Sequence, residues 1–243
     1  MDRREIPPVQ AQSLTEACIE HLERMILSGE LAINERLPSE RDFAARLKVS
    51  RPILHQALVD LEAKGLVRIE PRKGVYISDY RRDGSLAMLS SLLAYHDGRL
   101  APELNQSMID MRLLVETETA RLAAQNRTAA HMSDLRRLLD AEHQAAGEDP
   151  QALTDLDFSF HHTIAIASGN LVYPLLVNSF KDVYTSLTGE FFRRHFNSGV
   201  IETVRRFHQD LVDALERRDP DSAAQTMAGM LRHGEKFLKG GGV

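Results

Sequence analysis

Along the first third of the chain, apolar residues recur at intervals of three and four. Between Thr15 and Leu27 the positions Ala17, Cys18, His21, Leu22, Met25 and Ile26 form one stripe, which predicts an amphipathic helix ended by Ser28-Gly29. The stretch SERDFAARL opens on Ser39 with Asp42 three residues later, a capping-box pattern, and Phe43, Ala44 and Leu47 give it one buried side. Ser50 caps a third helix, with Pro52 in its first turn, where a missing N–H costs nothing; its stripe is Leu54, Leu58 and Leu61, and Gly65 stops it. Only Lys48-Val49 separates the second helix from the third, the spacing of a helix-turn-helix. Past Gly65 the period changes to two: Val67, Ile69, Val75 and Ile77 alternate with Arg68 and Tyr76, a hairpin with Arg72-Lys73 at its tip. Three helices and a basic hairpin predict a winged helix-turn-helix over residues 10–78. The polar run DYRRDGS, residues 79–85, reads as a linker and as the hinge of the molecule.

From Leu86 onward the strand signal vanishes. Helical patterns run at 86–96, 102–125, 129–146, 152–168, 171–192, 200–217 and 221–238, separated by Asp97-Gly98, Gly147 to Pro150, Gly169-Asn170, Ser198-Gly199 and Asp219-Pro220. Seven helices joined by short loops predict an antiparallel all-α bundle over 86–239, so the fold class is mainly α with a small winged head.

Composition narrows the function classes. With 243 residues, 43% apolar and 27% charged, the chain has the make-up of a folded globular protein, and collagen-like and disordered readings fall away. A single cysteine, Cys18, permits no internal disulfide. The charged start MDRREIPP lacks an apolar run behind it and no window reaches 18 apolar residues, so the expectation is a cytoplasmic protein without a membrane span. A net charge of −5 argues against coating nucleic acid through bulk charge, yet residues 36–73 hold nine Lys/Arg against five Asp/Glu, which concentrates positive charge in the head. In such a head the second helix of the pair enters the major groove, and Arg51 at its start can give two hydrogen bonds to guanine O6 and N7. Ser39 and Ser50 place cap N–H groups where phosphate could sit, and Arg72, Lys73 and the conformationally free Gly74 can reach a groove or the phosphates.

The helical part carries its own chemistry. Asp157 and His161 lie four apart and therefore stack on one helix face, with Ile164 and Ser168 continuing it. Read by itself, this pair is either a salt bridge or two metal ligands. His208 lies between Val204 and Leu211-Val212 on an apolar stripe, where an unpaired imidazole would cost desolvation energy. One carboxylate and two imidazoles suit Zn²⁺, Ni²⁺ or Co²⁺. Arg112 shares a face with Met108, Val115 and Thr119, so its guanidinium points at the core and needs a partner: an internal carboxylate such as Glu116 or Asp157, or a bound carboxylate ligand. Asn170, after Gly169, reads as a helix C-cap.

The run RLPSERDFAARLKVSRPILHQALVDLEAKGLVRIEPRKGVYI resembles the DNA-binding domain of the GntR family of bacterial transcription regulators. The segments MIDMRLLVETETARLAA, DLDFSFHHTIAIASGN and FHQDLVDALERRDPDSAAQTM resemble the FCD effector-binding domain of its FadR subfamily. The resemblance spans most of residues 10–238 and implies a homodimeric regulator, repressor or activator, on double-stranded operator DNA, controlled by a small carboxylate metabolite. It implies that Arg41 also takes part in operator binding and that Arg112 contacts acidic effectors. At His55 many relatives carry an arginine, so either one DNA contact is weaker here or His55 is an exposed helix residue. Metal-binding FCD domains supply one Asp and three His; Met230 stands at the fourth position, a thioether ill suited to a borderline cation, with His233 one turn on and His162 and His195 less well placed. That leaves a three-ligand site completed by water or effector, or a metal-free pocket. Two rival readings are a metal-dependent hydrolase or lyase using Asp157, His161 and His208, and a DNA-binding dimer with no effector.

Overall fold

The computed structural model describes residues 13–96, 101–145, 149–196 and 198–239. These form two compact units, one ending at Tyr95 and one starting at His96.

The first unit opens with α1 (Leu14–Leu27). Ser13 caps it reciprocally: its hydroxyl accepts from Glu16 N at 3.1 Å and its N–H donates to Glu16 Oε2 at 2.9 Å. Helix α2 (Glu40–Leu47) starts on Ser39, whose hydroxyl accepts from Asp42 N and donates to Asp42 Oδ2 at 2.7 Å, so the expected box closes between side chains. Lys48, left-handed at φ 56°, turns the chain into α3 (Arg51–Ala63). Ser50 holds the N-cap position of α3 but its side chain makes no capping bond, which corrects the sequence expectation; Pro52 still supplies a first turn that needs no donor. The wing is β1 (Val67–Glu70) paired antiparallel with β2 (Gly74–Ile77), in the register Val67↔Ile77 to Glu70↔Gly74. The apolar stripes meet as intended: Leu22, Leu54, Leu58, Leu61, Leu66 and Ile77 are fully buried together.

Residues 79–85 depart from the expected linker. Asp79 caps a four-residue α4 (Tyr80–Asp83). Ser85 is bonded to the end of α3, its N–H donating to Lys64 O and its hydroxyl to Ala63 O. The following helix, α5 (Met88–Tyr95), expected as the first helix of the bundle, packs on the head: Met88 and Leu92 join the α1–α3 core. There Lys64 Nζ contacts Glu23 Oε1 at 2.5 Å and Ser91 Oγ at 3.0 Å, and Ser91 donates to Glu23 at 2.8 Å. A hinge at 79–85 would have to break these bonds, because a polar sequence is as able to dock by hydrogen bonding as to run free in water. Gly65, at φ +79°, is the tight point of this docking: a Cβ there would collide with the Asp83 carbonyl and come within 2.7 Å of Gly84 Cα. Gly65→Ala is therefore expected to cost roughly 1–3 kcal/mol from the left-handed backbone alone, with the clash in addition, read as a lower midpoint of urea unfolding.

The second unit contains α6 (Pro102–Asn126), α7 (Ala129–Ala145), α8 (Pro150–Ala167), α9 (Tyr173–Ser179), α10 (Lys181–His195), α11 (Gly199–Glu216) and α12 (Pro220–Lys239). The pattern at 171–192 is two helices, broken at Phe180, whose ring is buried in the interior. Ser168 is the C-cap of α8, Gly169 takes φ +75°, and Asn170 instead accepts from Val172 N at 2.8 Å. The breaks expected at Asp97-Gly98 and at Gly147 lie outside the described residues. Helix α6 packs against α8, α11 and α12, its Ala120, Ala123 and Ala124 allowing close approach. Two arginines satisfy helix-end carbonyls across the bundle: Arg127 donates to Leu215 O and Glu216 O, and Arg218 to Gln125 O and Arg127 O.

Candidate functional site

Three helices bring the bundle's polar residues to one place. Asp157 and His161 project from α8, His208 from α11 and Arg112 from α6, all nearly or fully buried. The histidine Nε2 atoms lie 3.8 Å (His161) and 3.6 Å (His208) from Asp157 Oδ1. One donor atom from each of the three residues lies within 4.8 Å of the others. His208 Nε2 is buried without a hydrogen-bond partner. Of the opposite ring nitrogens, His208 Nδ1 is hydrogen-bonded to Glu142, 3.0 Å from Oε2, while His161 Nδ1 lies 2.5 Å from Glu116 Oε2 in a close contact without hydrogen-bond alignment. A carboxylate on Nδ1 fixes ring orientation and leaves the Nε2 lone pair facing the site, which is how metal-ligating histidines are held.

Arg112 is tied into the same network. Its Nε donates to Glu116 Oε1 at 2.7 Å, its Nη2 donates to the Tyr184 hydroxyl at 2.9 Å, and the Tyr184 hydroxyl donates to Asp157 Oδ2 at 3.0 Å. The guanidinium also lies 4.0 Å from the centroid of the Tyr184 ring. Burial opposes ionisation of Glu116, but Arg112 and His161 outweigh it and hold its carboxyl at about 2. Burial likewise pushes the Tyr184 phenol well above its usual range, so it stays a donor. For His208 burial opposes the charge, yet the Glu142 carboxylate raises its pKa.

A cavity of about 60 Å³ opens beside these groups, with Arg112, Asp157, His161, Thr188 and Glu235 as its polar lining and Phe191, Phe192, Val204 and Met230 among its apolar walls. Its size suits several waters or one small organic anion. The internal ion pair and the ligand-facing position considered for Arg112 therefore coexist. Met230 faces the cavity with a thioether. His233 does not complete the cluster: its ring packs 5.8 Å from Phe207 and 5.0 Å from Phe237, and burial followed by Lys236 lowers its pKa. His162 is held by the Pro174 carbonyl at 3.2 Å, and His195 packs against Phe191 and Phe237. The sequence reading missed Glu142 and Tyr184. Glu142 sits on the α7 stripe Met132, Leu135, Leu139, Glu142, and a carboxylate interrupting an apolar stripe is the signal that points to it.

On the head, the residues expected to face DNA lie at the surface. The side chains of Arg41, Arg51 and His55 are 89%, 71% and 57% exposed, so each is free to meet a partner. Arg41 lies 3.6 Å from Asp42. Arg51 and His55 share one face of α3. At the wing tip Arg72 takes φ 67°, Lys73 lies 3.1 Å from Glu70, and Gly74 at φ 120° leaves room for Arg36, whose Nε would be 3.1 Å from a Cβ there.

Comparison with known proteins agrees with both halves. Residues 14–77 match the bacterial regulatory proteins of the gntR family, and residues 107–233 match the FCD domain. The regulator Mce2R of Mycobacterium tuberculosis is 32% identical over 182 residues, covering 74% of this chain and 73% of its own. The repressor NanR of Cronobacter sakazakii is 29% identical over 227 residues, covering 90% and 83%. Among solved structures, Lar of Listeria monocytogenes has a TM-score of 0.60 at 17% identity, over 94% of this chain and 98% of that one. Among the described residues no helix is long and apolar enough to cross a membrane. With a winged head, an exposed arginine at the start of its recognition helix and a helical domain of this type following in the sequence, the chain belongs to the GntR family, carries an FCD domain, and is a DNA-binding transcription regulator rather than an enzyme.

Proposed function

We propose that this chain is a metabolite-gated repressor, working as a homodimer, whose bundle senses a small carboxylate with the help of a divalent ion held by Asp157, His161 and His208. The observation that carries the reading is the convergence of two buried imidazoles and one carboxylate beside a cavity that Arg112 also lines. The donor set fits a cation: ligands about 2.0–2.1 Å from a tetrahedral Zn²⁺ lie about 3.4 Å apart, close to the 3.6 and 3.8 Å found here. The orphaned Nε2 of His208 is the atom that such an ion would satisfy. Zn²⁺, Ni²⁺ or Co²⁺ would supply positive charge and an open coordination position. Arg112 would orient the carboxylate from the side, Tyr184 would hold Asp157, and the phenylalanines would keep bulk water out.

On the DNA side, Arg51 would read base edges, with His55 on the same helix face. Arg41, Arg72 and Lys73 would meet phosphates, aided by the N–H groups at Ser50 and the close backbone approach at Gly74. Repression is supported by the relatives that carry the name NanR repressor. Effector binding would shift a two-state equilibrium by its differential affinity, about 1–3 kcal/mol in typical cases.

The test is a gel-shift titration of the full chain on duplexes it enriches from a random-sequence pool, with Zn²⁺ and a panel of small carboxylates. Enrichment of a two-fold symmetric sequence, released by one carboxylate, supports the proposal; operator binding indifferent to every carboxylate and to metal removal leaves only the DNA-binding function. In the same assay Arg51→Ala is expected to weaken the enriched duplex about 10–100-fold while changing a shuffled duplex much less, since a bidentate base contact is worth roughly 1–3 kcal/mol of discrimination.

A further inference from the structure

The first residue of α2 faces the recognition helix. Glu40 divides its two carboxylate oxygens between the DNA-facing pair: Oε2 lies 3.5 Å from Arg51 Nε, and Oε1 lies 3.2 Å from His55 Nδ1. Its own side chain is only 23% exposed, less than either partner. The neighbouring acid, Asp42, is taken by Ser39 and Arg41 and does not compete for these donors. A carboxylate on a surface that meets phosphates opposes binding through its charge. Its placement is explained if it improves the geometry of the cation it holds. With Nε engaged by Glu40, the two Nη groups of Arg51 make no hydrogen bond or ion pair among the described residues, so the end-on fork is turned outward, the half of a guanidinium that fits guanine O6 and N7. Holding a long side chain in advance also reduces the freedom it loses on meeting a base.

We infer that Glu40 is a positioning residue for sequence reading: it acts through Arg51, with His55 as its second point of attachment, and exchanges general affinity for DNA for discrimination between sequences. This rests on the reading of Arg51 as a base-contacting residue. The alternative is that Glu40 only balances the positive end of α2 as a first-turn acid.

The experiment uses the full chain, a duplex enriched by the wild-type protein from a random pool, and a shuffled duplex of the same composition. Glu40→Gln keeps the shape and removes the charge. The expected result is tighter binding to the shuffled duplex, weaker binding to the enriched one, and a discrimination ratio reduced about tenfold. In an Arg51→Ala background the same substitution should change both duplexes by one common factor. Arg51→Lys, which keeps the charge and loses Nε–H, should lower the ratio as Glu40→Gln does. Equal tightening on both duplexes with an unchanged ratio would overturn the inference, as would a ratio that falls equally with and without Arg51, or a Glu40→Gln head that melts. A wild-type chain that enriches no sequence would remove the base-reading role of Arg51 and that of Glu40 with it, an outcome distinct from all of these.

Discussion

Replacing Arg112 with alanine is expected to destabilise the bundle by about 3–5 kcal/mol, the usual cost of removing one partner from a buried ion pair. The guanidinium is buried against Glu116, and its loss would leave that carboxylate, 1% exposed, with only His161 to balance it, and Tyr184 without its donor. Arg112→Met combined with Glu116→Gln removes both charges and is expected to return most of the loss, because no uncompensated ion then remains. Acid unfolding gives an independent reading. The Glu116 carboxyl titrates near 2 in the folded chain against an ordinary 4.5, a folded value below the unfolded one. Its contribution is therefore complete above about 4.5 and disappears as the pH falls toward 2, about 3 kcal/mol in all at 1.36 kcal/mol per unit. In Arg112→Ala the acid limb should move to higher pH; an unchanged limb would show that the ion pair is not what depresses Glu116. The double variant has a second use. It separates folding from sensing: a stable chain that still binds the enriched duplex and has lost its carboxylate response, while Glu116→Gln alone keeps that response, assigns the effector contact to Arg112 rather than to the carboxylate beside His161, whereas alanine alone would confound folding with sensing.

Zinc is expected to raise the stability of the wild-type chain by about 2.7 kcal/mol at a free concentration one hundred times its Kd, or about 5–10 °C in melting midpoint for a protein of this size. His208→Ala should abolish the shift. Glu142→Gln should preserve the site but weaken it roughly 10–100-fold, the usual effect of losing the carboxylate that orients a ligand imidazole. Met230→His should strengthen it, since that side chain faces the same cavity and an imidazole would add a nitrogen donor. Because Glu142 raises the His208 pKa despite burial, and a bound ion requires the neutral ring, metal affinity should grow with rising pH. A melting midpoint indifferent to zinc, nickel and cobalt in the wild-type chain would make the cluster a purely internal ion network and leave the cavity to the carboxylate and Arg112.

The distribution of apolar residues was enough to foresee the winged head, the bundle behind it and the helix faces that carry Arg51, Arg112, Asp157, His161 and His208. These are properties of single elements: a period of 3.6 or 2 fixes which side chains share a face, and Gly65 or Pro52 marks an end by its backbone alone. What required tertiary structure was every pairing between elements. Residues 79–85 were polar enough to pass for a free linker, and only the proximity of the α3 end, with Lys64 O and Ala63 O as acceptors, pins them and draws α5 onto the head. Phe180 splits a continuous helical pattern because its ring has an interior to enter, which no local periodicity records. The anchoring of His208 by Glu142 spans 66 residues and that of Arg112 by Tyr184 spans 72. Local sequence determines the direction in which a side chain leaves its own helix; which partner it finds there depends on how the helices cross, and that is settled by the packing of the whole core.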